Sequence, residues 1–534
     1  MAEGTVRVLA VLWDTFSAWG MRRAGIHMGR GRGKLGRGMT GGLYRGGQRP
    51  RRIRPVIRAG QGALLLAGLA AFPALAAGPR PDAACPGGSI AVGVGMSLQS
   101  AVDAAPAEAS FCIGTGEHRL QAVTPKSGQR FHGQAGTVLN GSRLVTDFSR
   151  EGRYWVTRDQ LRRDLPMASV VCLPGRERCS HPRAVFIDNV PLLHASRLQD
   201  LAPGRFFHDE ERGRIYVLDD PRGRTVEVSA APYAFGGGAR GVLIENLTIE
   251  KYAPLVQTGA VGYNLPTPAW ILRNNEIRLN YALGMSVGSG SRVAGNLIRD
   301  NGQMGVGCRG RDILFEGNEI AANGYFSGVD PNWEAGGAKC ALTEGLVVRG
   351  NHLRGNHGYG FWTDIDNMDS LYEHNLVEDN TAGGITHEIS FAAVIRYNTF
   401  RRNGPVAPRW LWGAAILVQN SRDVEVHDNS VDMTGRGNGI SLVQQNRGAY
   451  VTINNLVHGN TIVSGTPDHG ASGALADHDP EGLRAGNNRF DGNRYRVRNA
   501  GDEHWAWVDG FRAWAEHRRR SGQEATSRVE VIRR

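Results

Sequence analysis

The chain has 534 residues, with 73 glycines, 7% aromatic residues and a formal charge of +11. The charge is local: residues 1–60 hold 13 Arg/Lys against 2 Asp/Glu, and the rest carries 49 of each, so nothing past the leader offers the basic stripe that a nucleic-acid partner requires. The glycine content suits an architecture with many tight, positive-φ corners, and the length allows several domains or one long repeat array.

Residues 1–50 read as a low-complexity Gly/Arg extension, as from a start site placed too early. Residues 51–77 have the parts of a signal peptide: Arg51-Arg52-Ile53-Arg54 as the positive region, Ala63–Phe72 as a short apolar core, and Ala74-Leu75-Ala76 as a small-x-small cleavage site. Cleavage near Ala76 or Ala77 leaves no membrane span and makes the protein secreted or periplasmic. Six cysteines in an exported chain favour disulfides. Cys85 and Cys112 bracket the start of the mature chain, and Cys172 and Cys179 flank a Pro-Gly turn. Cys308 and Cys340 occupy similar places in successive repeats, where they stack whether free or bonded. No His/Cys spacing suggests zinc.

Residues 78–150 read as an N-terminal cap and first coils. Ser97–Ala105 forms a short amphipathic helix, followed by strands at Phe111-Cys112-Ile113, Arg130-Phe131 and Thr137–Gly141. A cap is needed because a terminal coil otherwise exposes core and strand edges. Residues 151–232 break this rhythm. Tyr154-Trp155-Val156, Val185-Phe186-Ile187, Arg214–Leu218 and Thr225–Val228 alternate at strand period between turn signals, which predicts a small inserted antiparallel β-domain.

From 233 to 496 an asparagine returns in one setting: Asn246, Asn275, Asn296, Asn318, Asn351, Asn375, Asn398, Asn429 and Asn460, at intervals of 21 to 33 residues. A second follows five positions later at Asn301, Asn323, Asn356, Asn380 and Asn403. Short β-branched runs at this period predict a parallel β-solenoid whose successive coils stack about 4.8 Å apart. The asparagines are structural, bonding turn backbone and one another. Residues 497–534, with Trp505, Trp507, Phe511 and Trp514, read as a C-terminal cap. The fold class is therefore all-β.

The segments FIDNVPLLHAS…GRFFHDEERGRIYVLDDPRGRTVEVS and GFWTDIDN…GGITHEIS, set in this coil pattern, resemble exported right-handed parallel β-helix proteins of the pectate-lyase-like superfamily. Within it the chain is most similar to β-helical glycoside hydrolases of the xylosidase type, which carry an inserted β-domain. The resemblance implies a polysaccharide or oligosaccharide substrate and a retaining mechanism, with an Asp nucleophile and a Glu acid/base one coil later.

Aligned on the glycine before each strand, Gly360–Asp366 falls against Gly384–Ser390. Alternation sends Phe361, Ile365, Ile385 and Ile389 inward, and Trp362, Asp364 and Asp366 outward beside Thr386, Glu388 and Ser390. Stacked acids repel, which raises one pKa and leaves a proton donor beside an ionised partner, the pair that glycoside hydrolysis needs. Asp364 and Glu388 share a rung at roughly 5 Å, the retaining distance; Asp366 lies diagonally at roughly 8 Å, the inverting range. The resemblance favours retention and so implies Asp364 as the nucleophile and Glu388 as the acid/base, with Asp366 a substitute nucleophile or a hydroxyl ligand. Lys339 and Glu334, one coil earlier, are expected to bind substrate, and His387 is either a ligand or an inward-facing residue. Two long intervals carry aromatic insertions with Trp333, Trp410 and Trp412, which suit the walls of a sugar site. No cofactor is expected for hydrolysis. A polysaccharide lyase, with Lys339 as base and carboxylate-bound Ca²⁺, is the alternative; a non-catalytic carbohydrate-binding or surface solenoid is the third reading.

Overall fold

The computed structural model describes residues 77–160, 169–263, 267–406, 410–464 and 470–532. The extension and almost all of the expected signal peptide lie outside these residues. Three long sheets of 13, 12 and 13 strands dominate, and each coil adds one strand to each sheet in parallel register. Most strands of the two 13-stranded sheets have three residues, of which the middle one is apolar and faces inward. Stacking in register turns these single positions into continuous columns: Ile244, Leu272, Val293, Phe315, Val348, Tyr372 and Ile395 in one sheet, and Ile249, Ile277, Ile298, Ile320, Leu353, Val377 and Phe400 in another. All fourteen are fully buried.

From Asn274 to Asn493, each corner between the two 13-stranded sheets pairs a left-handed residue with an asparagine. The left-handed position is taken by Asn274, Gly295, Gly317, Gly350, His374, Tyr397, Asp428, Gly459 and Gly492 in turn. The following asparagine accepts, through Oδ1, from both the backbone N–H and the Nδ2 of its counterpart one coil earlier. Between Asn275 and Asn296 both bonds are 3.0 Å. Its own Nδ2 also binds a strand carbonyl, as Asn275 does to Ile244 at 3.0 Å. The ladder runs from Asn275 to Asn493, and a second from Asn280 to Asn403. Asn246 is not a rung. Register sets it against Asn274 at the left-handed position; Leu247 stands at the ladder site and donates its N–H to Asn275.

The helix Leu98–Ala104 begins at Ser97, whose side chain accepts from the Ser100 N–H, and buries Leu98 and Val102 against the first coil. Two small sheets of four and five strands, mostly antiparallel, run from Ser142 to Ser229. The insertion therefore starts before residue 151, because Ser142–Leu144 leaves the coil to pair with Val226–Ser229. Buried Lys251, on the solenoid, ties into it by ion-pairing with Glu227 of the insert as well as with Glu250.

The coils also continue past Arg496: Trp505–Val508 pairs in parallel with Ser472–Ala476, and Arg528–Val531 with Arg494–Val497. Only the helix Trp514–Ser521 and the short strand Phe511–Arg512 act as cover. Cys85–Cys112, Cys172–Cys179 and Cys308–Cys340 are disulfides. No described helix is long and apolar enough to cross a membrane.

Candidate active site

The strand Tyr359–Asp364 lies in register on Gly383–Glu388, so Phe361 meets Ile385, Trp362 meets Thr386, Thr363 meets His387 and Asp364 meets Glu388. The coils approach closely here: a Cβ on Gly384 would come within 2.3 Å of the Ala415 carbonyl oxygen. Phe361, Thr363, Ile385 and His387 are fully buried, leaving Trp362, Asp364, Thr386 and Glu388 to the outer face by alternation. The alternation stops at Asp364, because Ile365 and Asp366 both take left-handed backbone and turn the chain. Asp366 therefore stands off the strand, and Ile365 does not continue the inward row. Asp366 Oδ1 accepts from the Tyr450 hydroxyl at 2.7 Å.

Lys339, in register with Trp362 one coil earlier, knits the acids together. Its Nζ lies 2.9 Å from Asp364 Oδ2, 2.8 Å from Glu334 Oε1 and 3.2 Å from the Trp333 carbonyl, and 3.7 Å from the centre of the Trp362 ring. Glu388 accepts from Trp362 Nε1 at 3.1 Å on one oxygen, and from Gln419 Nε2 at 3.1 Å and Arg447 at 2.7 Å on the other. Asp364 Oδ1 is buried with no hydrogen-bond partner among the described residues. The acids do not line an open groove. Asp364 is 6% exposed and Glu388 5%, because the loop ending in Glu334 and the segment with Arg447 and Tyr450 contribute partners to the same cluster.

Burial, reinforced by Asp364, pushes the Glu388 carboxyl up to about 7; Arg447, Lys339 and the Trp362 N–H pull the other way. Burial and Asp364 also raise Glu334, against the pull of Lys339. Burial opposes the charge on Lys339, but Asp364 and Glu334 outweigh it and hold the ammonium above the ordinary lysine range. His387 is sealed inside the coil, with Nδ1 2.9 Å from the Thr363 hydroxyl and Nε2 3.3 Å from the Phe391 carbonyl. Burial lowers it to about 4, so it is a neutral core residue and not a substrate contact.

Trp333 is half-buried beside Phe326 and Ala335 and presents its carbonyl to Lys339. The loop bearing it and Glu334 is braced by the insert. Leu173 N–H donates to Gly328 O and Asp330 N–H to Val171 O, both at 2.9 Å, with Cys172 bridged to Val329 between them. Trp410 and Trp412, with rings 5.4 Å apart, pack on Leu411, Ala414 and Leu417. Leu417 continues the outward column of Trp362 and Thr386, so this pair packs on the coil that follows Glu388. Arg447, Tyr450 and Gln419 were not foreseen. One signal was present: the interval from Asn429 to Asn460, which holds Arg447 and Tyr450, is as long as the one from Asn398 to Asn429.

Residues 263–431 match the family described as "right handed beta helix region". The chain folds as a right-handed parallel β-helix. No curated protein matches its sequence. Among solved β-helix structures, one described as the complex of XylC with xylose superposes with a TM-score of 0.58 at 14% identity, covering 82% of this chain and 83% of that one. A mutant of the periplasmic alginate epimerase AlgG gives a TM-score of 0.38 at 11% identity, covering 82% of each chain. The A-module of the Azotobacter vinelandii mannuronan C-5 epimerase AlgE4 gives a TM-score of 0.33 at 14% identity, covering 82% of this chain and 98% of that one. These likenesses concern the fold.

Proposed function

We propose that this β-helix protein is a retaining glycoside hydrolase acting on a neutral oligosaccharide or polysaccharide outside the cytoplasm. The observation that carries the reading is the in-register pair Asp364–Glu388, one carboxyl beside Lys339 and the other held near neutral pKa. Adjacent rungs lie about 4.8 Å apart, which favours the roughly 5 Å carboxyl separation of retaining enzymes over the roughly 6.5–9.5 Å that admits a water for inversion. Asp364 attacks the anomeric carbon through its unpaired Oδ1 while Glu388 donates its proton to the departing glycosidic oxygen. Glu388, now a carboxylate, takes a proton from water, which displaces Asp364 and releases the sugar. Trp362, Lys339 and Glu334 are assigned to orient the acids and the sugar, and Asp366 to hold Tyr450. The three disulfides support an exported protein.

Charge favours a neutral sugar. Among the described residues, Glu334, Asp364, Asp366 and Glu388 have ion pairs with Lys339 and Arg447 alone; even with Glu388 protonated three acids stand against two cations, so an acidic substrate meets a surplus of like charge. The same contacts weaken the lyase reading: Lys339, held charged between two carboxylates, is a poor base, and its ammonium fills the position of a bridging cation. The sugar named with XylC puts xylosides first in a panel of aryl glycosides and neutral oligosaccharides. Asp364→Asn and Glu388→Gln should each lose about 10²-fold or more of turnover. Undiminished turnover in both variants rejects the assignment, and an unsaturated product returns the reading to elimination.

A further inference from the structure

Around the corner from the acid pair lies a cavity of about 300 Å³, bounded by Ser390, Phe391, Asn420, Arg422, Tyr450 and Val451. It is joined to the site through the chain on both sides. Phe391 begins the strand that follows the turn after Glu388, and Asn420 follows Gln419, the residue that donates to Glu388. Tyr450 belongs to both places: its ring lines the cavity while its hydroxyl holds Asp366. The Phe391 and Tyr450 rings stand 6.1 Å apart with planes inclined by 32°, and the Arg422 guanidinium lies 4.8 Å from the Phe391 centroid.

We propose that this cavity is a second sugar-binding subsite, which takes the neutral sugar unit next to the one cleaved. The proposal rests on the reading of Asp364 and Glu388 as a glycosidase pair. Two half-buried aromatic rings offer apolar surface to the C–H face of a pyranose or furanose, and Arg422 supplies hydroxyl-directed donors. The volume suits one ring with its water rather than a long chain. Because Tyr450 is shared, a sugar seated here is continuous with one at the acids, so the preferred substrate has at least two sugar units. The corner between the two sheets, not only the face of one, then sets specificity.

The test separates binding from catalysis. Calorimetry on Glu388→Gln protein with xylo-, gluco-, manno- and galacto-configured di- to tetrasaccharides reads binding without turnover. Adding Phe391→Ala should weaken the best ligand about tenfold, the scale of a lost aromatic contact. In otherwise wild-type enzyme, Phe391→Ala should lower the ratio of kcat/KM for an oligosaccharide to that for its aryl monoglycoside by a similar factor. Phe391→Leu, which keeps an apolar side chain for folding, should show a smaller change in the same direction. An unchanged affinity and ratio in folded variants overturn the subsite, as does a failure of every oligosaccharide to bind. Binding that Phe391→Ala weakens without any glycoside being turned over upholds the subsite and rejects the catalytic pair.

Discussion

Arg447 Nη2 stands 2.7 Å from Glu388 Oε1, so a guanidinium from a long loop holds down the pKa of a buried acid on the strand beneath. On the proposed mechanism cleavage needs Glu388 protonated, and its carboxyl is pushed up to about 7, so activity should fall as pH rises through that value. Replacing Arg447 by Gln removes a lowering influence and should move this alkaline limb up by about one pH unit. Profiles of kcat/KM against pH for the two proteins check the shift, and coincident limbs rule out Glu388 as the acid.

Glu388 should also leave a signature in stability. The folded carboxyl keeps its proton up to about 7 and an ordinary glutamate only to 4.5. Between those values the folded state holds the extra proton, so stability falls as pH rises through the window and levels off above it. Glu388→Gln abolishes this term, on the order of 3 kcal/mol across the window. Thermal melts at pH 5 and pH 8 should therefore diverge less for the variant than for the parent protein.

Lys339→Met would leave Asp364 and Glu334 buried without their shared counter-ion. Breaking such a pair costs about 3–5 kcal/mol, and turnover should vanish with it. A lysine acting as a free base would instead lose activity at little cost in stability. Denaturant midpoints measured alongside rates distinguish the two.

The turn closed by Cys172–Cys179 pairs with the loop that carries Glu334. Cys172→Ser/Cys179→Ser should cost roughly 2–3 kcal/mol and loosen that loop more than the coils. Faster amide exchange within residues 325–335, together with a reduced kcat, is the expected result. Unaltered exchange there would show that the disulfide-closed turn merely decorates the insert.

Register makes Asn351 and Asn246 unequal despite their similar sequence settings. Asn351 Oδ1 accepts two bonds from Asn318 at 2.9 Å, and its Nδ2 reaches Phe315 O at 3.0 Å. Asn351→Ala should cost several kcal/mol, since each buried polar group left unpaired costs about 1–3. Asn246→Gly, at a left-handed position off the ladder, should lie within about 0.5 kcal/mol of the parent. Chemical denaturation of both variants provides the comparison.

The solenoid was readable because its determinants are periodic and local: an asparagine, a left-handed corner and one inward apolar residue per short strand. The rung shared by Asp364 and Glu388 followed from counting along two glycine-aligned strands. Three features escaped such counting. Asp366 leaves the face because the backbone turns at Ile365, where no glycine marks a left-handed residue. Arg447 and Tyr450 reach the acids from a long insertion, where coil register no longer fixes side-chain position. The last coil was hidden because Trp505 carries a bulky ring inward where earlier coils place Ser472 and Ile440.

The brace from the insert gives the molecule an order of assembly. The disulfide-closed turn precedes its client loop in the chain, so a nascent protein makes the clamp before the piece to be clamped. The clamp itself is fastened by joined cysteines. A copy held among reduced thiols would carry every acid of the cluster but lack the fastening that frames Glu334, and on the proposed glycosidase reading its turnover would stay lowered until oxidation.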